Sequence, residues 1–130
     1  MPVETLIGPK TRPDGTSIPL SAAVKAGGFV FLSGQLAHHP DGSYAGTDIE
    51  TQARKTLENI DGTLEQLGLS KKDVCKATVY LTDAKNFPAF NKVYREYFGD
   101  TPPPARSTVA CALMDPQALI EIEFLAYAGD

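Results

Sequence analysis

One arginine and two glutamates lie in the last strands that the sequence predicts. Arg106 follows a run of prolines and belongs to a predicted strand at about residues 105–112. Glu121 and Glu123 share one side of the next predicted strand, because side chains alternate along a strand. Charged groups are costly inside a sheet unless something pairs with them, so all three side chains need a partner or a ligand.

Two interpretations of Arg106 are open from spacing alone. The first is a structural ion pair with Glu121 or Glu123. The second is a clamp for a substrate carboxylate, with a glutamate nearby to move protons. A guanidinium suits such a clamp because it is planar, always charged and able to donate two parallel hydrogen bonds to a carboxylate.

Other polar residues offer fewer possibilities. Ser33 and Gly34 interrupt an apolar strand, where a glycine often marks a bulge or a close backbone approach. Asn91 lies among aromatic residues, as a core hydrogen-bonding residue or a ligand contact would. His38 and His39 are adjacent and point to opposite faces of a strand, so we predict no metal site. No phosphate loop or catalytic histidine context is present, which leaves chemistry that needs a carboxylate anchor, a proton-handling group and water.

Composition limits the class of protein. The chain of 130 residues suits one domain, residues 1–130. Its net charge of -4 and pI of about 5.1 argue against a nucleic-acid binder, which needs a basic face. We find no signal peptide and no apolar run of the ~20 residues that a membrane span needs. We therefore expect no membrane association and a cytoplasmic location, with an organelle interior as the alternative. Cys75 and Cys111 lie in apolar stretches, which predicts two buried thiols in a reducing compartment.

The spacing of apolar residues predicts an α+β fold. Two strands are expected within residues 22–37, a helix at about 47–67, a strand at 73–83, a helix at 86–98, and strands at about 105–112 and 119–128. The apolar stripe of the second helix is predicted to contain Phe87, Asn91, Tyr94 and Phe98. We expect both helices to pack on one face of a mixed sheet. The other face of the last strand is partly apolar and partly charged, which favours a homo-oligomer.

Four segments carry a resemblance to a known family. They read GGFVFLSGQLA, QARKTLENIDGTLEQLGLSKKDVCKATVYLTD, FPAFNKVYREYF and PPPARSTVACALMDPQALIEIEFLA. They resemble the reactive intermediate deaminase (Rid, YjgF-like, RidA-like) family over nearly the whole chain from about Pro19. The Ala-Arg-Ser-Thr-Val and Ile-Glu-Ile-Glu segments are the most specific part.

The resemblance implies a chorismate-mutase-like fold and a homotrimer with three clefts between subunits. It also implies a cofactor-independent hydrolase that converts enamine and imine acids to 2-keto acids and ammonia. The expected partners are then a small imino or enamino acid and the other subunits, with no nucleic acid and no membrane. The alternatives are a 2-aminomuconate-type deaminase and a non-catalytic trimer that binds small carboxylates. An endoribonuclease, as some family members have been described, fits the acidic pI less well.

The family's roles transfer by motif. Arg106 matches the carboxylate-binding arginine, and Glu121 matches the glutamate that handles the attacking water. The residues that match or are expected to line the cleft are Ser33, Gly34, Asn91, Thr108, Leu20 and Phe87. Two of these depart from the family pattern. Leu20 occupies the position of a family tyrosine, and Thr108 that of a frequent cysteine. Because Leu20 lacks the tyrosine hydroxyl, the mouth of the site is expected to be more apolar.

Overall fold

Six strands form one mixed sheet, and two helices pack on one of its faces. The computed structural model describes residues 2–129. The strands are β1 (Glu4–Ile7), β2 (Ala23–Ala26), β3 (Phe29–Leu32), β4 (Val74–Leu81), β5 (Ala105–Ala110) and β6 (Ile120–Tyr127), and the helices are α1 (Ile49–Gln66) and α2 (Phe87–Phe98). No helix within the described residues has the length and apolar composition to cross a bilayer.

The order of strands across the sheet is β1-β2-β3-β6-β4-β5. Strands β4 and β5 are parallel and are connected through α2, whereas the other neighbours are antiparallel. The last strand in sequence, β6, therefore lies in the middle of the sheet, and β5 is an edge strand. The predicted α+β class, with both helices on one face, is confirmed.

Helix α1 begins and ends close to its predicted bounds. The Asp48 side chain caps its first turn by accepting a hydrogen bond of 2.9 Å from the Thr51 backbone N–H. Its buried stripe also contains a polar residue, Gln52, which is 1% exposed. The amide of Gln52 donates to the carbonyl of Gln117 at 3.0 Å and accepts from the N–H of Leu119 at 2.9 Å. A helix side chain thus fixes the loop that leads into β6.

The buried face of helix α2 differs in part from the predicted apolar stripe. Its buried residues are Phe90, Val93, Tyr94 and Phe98. Phe87 is 40% exposed and Asn91 is half-buried, so this part of the prediction is wrong. The prediction chose one of two stripes of similar apolar character, and the sheet selects the stripe that buries Phe90.

One strand, Glu4–Ile7, was not predicted from the sequence; it pairs with β2 at one edge of the sheet. One further prediction is wrong. Both cysteines are free, as expected, but they are exposed rather than buried. Cys75 lies at an irregularity in the pairing of β4 with β6, and Cys111 follows the end of the edge strand β5. The apolar composition of the surrounding sequence did not predict the exposure of either cysteine.

The sheet has one face covered by helices and one open face. On β6, Ile120, Ile122, Phe124 and Ala126 are buried beneath the helices, as predicted. The open face carries Glu121 and Glu123 and several large apolar side chains. Those of at least 40% exposure are Phe29 43%, Phe31 46%, Val109 46% and Tyr127 44%. Such a concentration of exposed apolar area on one sheet face is typical of an interaction surface.

Candidate active site

The first half of the candidate site surrounds the Arg106 side chain. Its guanidinium carbon lies 5.6 Å from the ring centroid of Phe87, 5.3 Å from that of Phe90 and 4.8 Å from that of Tyr94. We call these three rings the aromatic cradle. Cation–π contacts at such distances favour one placement of the guanidinium without using its N–H groups. Among the described residues Arg106 forms no ion pair, so its hydrogen-bonding capacity is available to a ligand.

A cavity of about 540 Å³, the Arg106 cavity, opens beside this guanidinium. Its lining residues are Asn91, Tyr94, Arg95, Phe98, Gly99, Thr101, Pro103, Pro104 and Arg106. The Tyr94 hydroxyl is buried and has no hydrogen-bond partner among the described residues. Burial raises the pKa of Tyr94 to about 12, although the Arg106 charge acts in the opposite direction. A neutral, unsatisfied hydroxyl beside a free guanidinium suits an anionic ligand.

Thr108 and Phe87 line a smaller cavity of about 200 Å³ farther along β5. The Thr108 hydroxyl oxygen is also buried and without a hydrogen-bond partner in the described part of the chain. Buried polar atoms without partners are rare in native proteins and call for an explanation. Four predicted residues, Arg106, Asn91, Thr108 and Phe87, thus gather between α2 and the edge strand β5. We call this group the arginine half.

The second half of the site surrounds Glu121 on the open face. The Glu121 carboxylate lies so close to Gly34 that a Cβ at that position would collide with it. This contact explains the glycine that interrupts the predicted strand. Burial raises the pKa of the Glu121 carboxyl, and the neighbouring Glu123 charge raises it further. A raised pKa lets a carboxyl group keep and exchange its proton at a higher pH than an ordinary glutamate does.

Tyr80 is a neighbour of the glutamates that sequence reasoning missed. Its hydroxyl donates a hydrogen bond of 2.6 Å to Glu123. This bond to Glu123, followed by burial, raises the pKa of Tyr80 to about 12. Tyr80 lies opposite Glu121 in the pairing of β4 with β6. Alternation along β4 indicated that Tyr80 occupies one face of its strand, but only the strand order brings it to the glutamates.

Ser33 and Leu20 lie near the Glu121 half. The Ser33 hydroxyl donates a hydrogen bond of 2.6 Å to the backbone carbonyl of Ser21, the residue after Leu20. The Leu20 side chain is 50% exposed, and only the chain connection to Ser21 relates it to Ser33. We call Leu20, Ser33, Gly34 and Glu121 the glutamate half.

The two halves lie on opposite faces of the sheet within one chain. Arg106 pairs with Ala77 of β4, whose side chain is buried beneath the helices. Glu121 pairs with Tyr80 of the same strand. Positions 77 and 80 are an odd number of residues apart, so their side chains point to opposite faces. The intramolecular ion pair between Arg106 and Glu121 or Glu123, one of the two interpretations above, is therefore absent from the described residues.

Each half offers a different chemical capability. The arginine half can bind a small carboxylate through a guanidinium and neighbouring hydroxyl and amide groups. The glutamate half holds a carboxyl group poised for proton transfer next to exposed backbone at Gly34. Together they would make an anchor and a proton carrier, which are the groups that hydrolysis of an activated C=N bond requires.

Comparison with known proteins identifies the family. The family model described as endoribonuclease L-PSP matches residues 10–128. The chain belongs to the YjgF/Rid family. A RutC family protein of Pyrococcus horikoshii is 46% identical over 110 residues, which cover 84% of this chain and 86% of that protein.

Solved structures of YjgF/Rid proteins share this fold. A Rid family protein of unknown function from Yersinia pestis has a TM-score of 0.80 and 40% identity, covering 84% of this chain and 87% of that one. A YjgF family member from Neisseria meningitidis has a TM-score of 0.81 and 29% identity, covering 100% of this chain and 98% of that one. The fold that the resemblance implied is thus confirmed as that of YjgF/L-PSP structures.

Proposed function

We propose that this YjgF/Rid protein hydrolyses reactive 2-imino and 2-enamino acids to 2-keto acids and ammonia. The observation that carries the proposal is the pair of complementary half-sites. One holds a guanidinium without a carboxylate partner, and the other holds a carboxyl group of raised pKa. The reaction needs no cofactor in this scheme, because a protonated imine carbon is already electrophilic.

We further propose that the halves meet between subunits of a homotrimer. Because Arg106 and Glu121 lie on opposite faces of one sheet, a single chain does not assemble both around one substrate. The exposed apolar residues of the open face supply a surface for association. Sedimentation equilibrium at micromolar concentration should give about three times the chain mass of 13.9 kDa. A monomer under these conditions would remove the shared site from the proposal.

In the proposed reaction, Arg106 holds the substrate carboxylate and so fixes the position of the adjacent C=N carbon. An enamine first gains a proton at its terminal carbon and becomes the imine. Water then attacks the imine carbon, and Glu121 accepts a proton from this water as the C–O bond forms. Protonated Glu121 then returns its proton to the amine nitrogen, the C–N bond breaks to release ammonia, and the hydroxyl oxygen loses its proton to solvent as it forms the C=O bond of the keto acid. Proton transfer by a carboxyl group in such steps typically contributes about 10²–10⁴-fold.

The decisive experiment measures ammonia and keto acid from freshly generated 2-iminopropionate and 2-iminobutyrate, with 2-aminomuconate tested alongside. The wild-type protein should accelerate the loss of an imine above its spontaneous rate. Glu121→Gln should reduce kcat while largely preserving the affinity for a 2-keto acid. If the folded trimer accelerates none of the three substrates but binds 2-keto acids, the protein is a non-catalytic carboxylate binder.

Two alternatives have their own discriminating results. Faster turnover of 2-aminomuconate, an enamino acid with two carboxylates, than of the aliphatic imines would favour the 2-aminomuconate-type reaction. Endoribonuclease activity is suggested by the description of the family model, but a net charge of -4 is unfavourable for binding phosphates. Cleavage of a labelled single-stranded RNA that depends on Arg106 would support it. The cytoplasmic location and the single domain over residues 1–130 stay predictions.

A further inference from the structure

The Arg106 cavity carries more positive charge than one carboxylate requires. Arg95 lines it together with Arg106, and none of its lining residues is acidic. Neither guanidinium forms an ion pair or hydrogen bond with another described residue. Acidic residues outnumber basic ones in the whole chain, 16 to 12, so two unpaired arginines in one cavity mark a local reversal of charge.

The helix places Arg95 beside the proposed substrate groups. Asn91 and Arg95 are four residues apart on α2 and therefore neighbours on one side of the helix. Arg95 lies in the last turn of α2, where a cation also interacts favourably with the helix dipole. That interaction alone would account for an arginine at this position.

The Tyr94 hydroxyl is an independent observation that points to a ligand. Tyr94 lines the same cavity, is only 5% exposed and has no hydrogen-bond partner for its hydroxyl among the described residues. The helix dipole does not explain an unsatisfied buried hydroxyl, whereas a bound anion would satisfy it. The cavity of about 540 Å³ lies within the range of roughly 300–1,000 Å³ that is usual for small-molecule sites. A three-carbon imino acid would fill only part of it.

We propose that the preferred substrates are dianionic, that is, imino acids with a second carboxylate, and that Arg95 binds this second carboxylate. The first carboxylate binds Arg106, and the Tyr94 hydroxyl donates a hydrogen bond to the ligand. This substrate class rests on the proposed deaminase function. Arg95 is then the residue that distinguishes dianionic from monoanionic substrates.

A matched pair of keto acids tests binding separately from catalysis. 2-Oxoglutarate and 2-oxovalerate both have five carbons and differ in the second carboxylate. Calorimetric titration should give a Kd for 2-oxoglutarate that is about two- to fivefold lower, as expected for an exposed charge pair. Arg95→Gln should abolish this difference, and higher salt should reduce it because the pair is screened. Equal affinity of the wild-type protein for the two acids would overturn the inference.

Lys92→Gln is the matched control, because it removes one positive charge from the same helix. Lys92 does not line the Arg106 cavity, its side chain is 60% exposed and it pairs with Glu50 at 3.4 Å. This variant should keep the preference for 2-oxoglutarate, and an equal loss in both variants would show a general charge effect that refutes the role of Arg95. Tyr94→Phe should weaken 2-oxoglutarate binding a few-fold without lowering the melting temperature. A Tyr94→Phe variant with unchanged 2-oxoglutarate affinity would remove the hydroxyl from the site.

Turnover separates this inference from the proposed function. The imines of 2-oxoglutarate and 2-oxovalerate can be generated by oxidation of L-glutamate and L-norvaline with amino-acid oxidases. If both imines are hydrolysed with equal kcat/KM, the substrate-class inference is wrong and the deaminase proposal stands. If neither is hydrolysed above the spontaneous rate, while simple aliphatic imines are also unaffected, the deaminase proposal fails. The Arg95-dependent binding difference then decides whether the cavity takes dianions.

Discussion

Replacing Arg106 by lysine tests the carboxylate clamp, because it keeps the charge and removes the planar fork. Two charge-assisted hydrogen bonds of about 1.5–3 kcal/mol each correspond to roughly 10²–10⁴-fold in kcat/KM. A lysine ammonium can replace part of this interaction, but it does not form the bidentate pair. We therefore expect Arg106→Lys to lower kcat/KM by about 10²-fold or more, and Arg106→Ala to lower it at least as far.

The aromatic cradle predicts a further difference between these two variants. The guanidinium lies 4.8–5.6 Å from three ring centroids, and cation–π contacts contribute about 0.5–1 kcal/mol at exposed sites. Arg106→Ala loses these contacts, so its melting temperature should fall by a few degrees, whereas Arg106→Lys should fall less.

The assays for these variants are ammonia release from 2-iminobutyrate, calorimetric Kd for 2-oxobutyrate and a thermal melt. Arg54→Lys is the matched control, because Arg54 forms a surface ion pair of 2.7 Å with Glu96 outside the site. This control should change neither turnover nor affinity. If Arg106→Ala stays folded and binds 2-oxobutyrate as tightly as the wild type, the clamp is refuted.

Four further substitutions test the glutamate half. Glu121→Gln should raise the melting temperature at neutral pH but not at pH 4: the folded-state pKa of Glu121 is raised, so its contribution to stability is present at low pH and is lost as the pH rises through that pKa. Glu123→Gln removes the charge that raises the pKa of Glu121, so the acid limb of the pH profile of kcat/KM should move to lower pH; an unmoved limb would contradict this coupling. Gly34→Ala places a methyl group against the flexible Glu121 carboxylate, so kcat should fall while the melting temperature changes little. An unchanged kcat would argue against a role for this contact. Leu20→Tyr restores the hydroxyl of the family pattern and should improve kcat/KM for small aliphatic imines; a variant that is only slower would show that Leu20 does not limit the reaction.

Local patterns predicted most elements but not every exposed position. The 3.6-residue repeat of α1 and the strict alternation of β6 were sufficient, because each pattern has one clearly apolar side. In α2, two overlapping stripes compete, and packing against the sheet buries Phe90 in place of Phe87. The exposure of Cys111 depends on β5 being an edge strand, which is a property of the whole sheet.

Predicting the site required the register between strands as well as the alternation within each. The sequence correctly placed Arg106 and Thr108 on one face of β5, and Glu121 and Glu123 on one face of β6. It did not show whether the two pairs share a face of the sheet, because that depends on how β5 and β6 each pair with β4, the strand between them. The resemblance to the family pointed to Arg106 and Glu121 without showing that their side chains lie on opposite faces of the sheet. They do so because their partners on β4, positions 77 and 80, are an odd number of residues apart.

The unpaired state of these charges is itself informative about assembly. A fold that needed Arg106 and Glu121 only for stability would place them on one face, where each would offset the desolvation of the other. Instead, the guanidinium rests against aromatic rings, and the half-buried carboxyl group has a pKa raised by burial and, further, by a neighbouring like charge. Neither arrangement gives the charged group an ion-pair partner among residues 2–129. They are the arrangements expected of a site that is completed by a second subunit and a substrate, with the carboxylate-binding and proton-handling groups supplied by different copies of the same sequence.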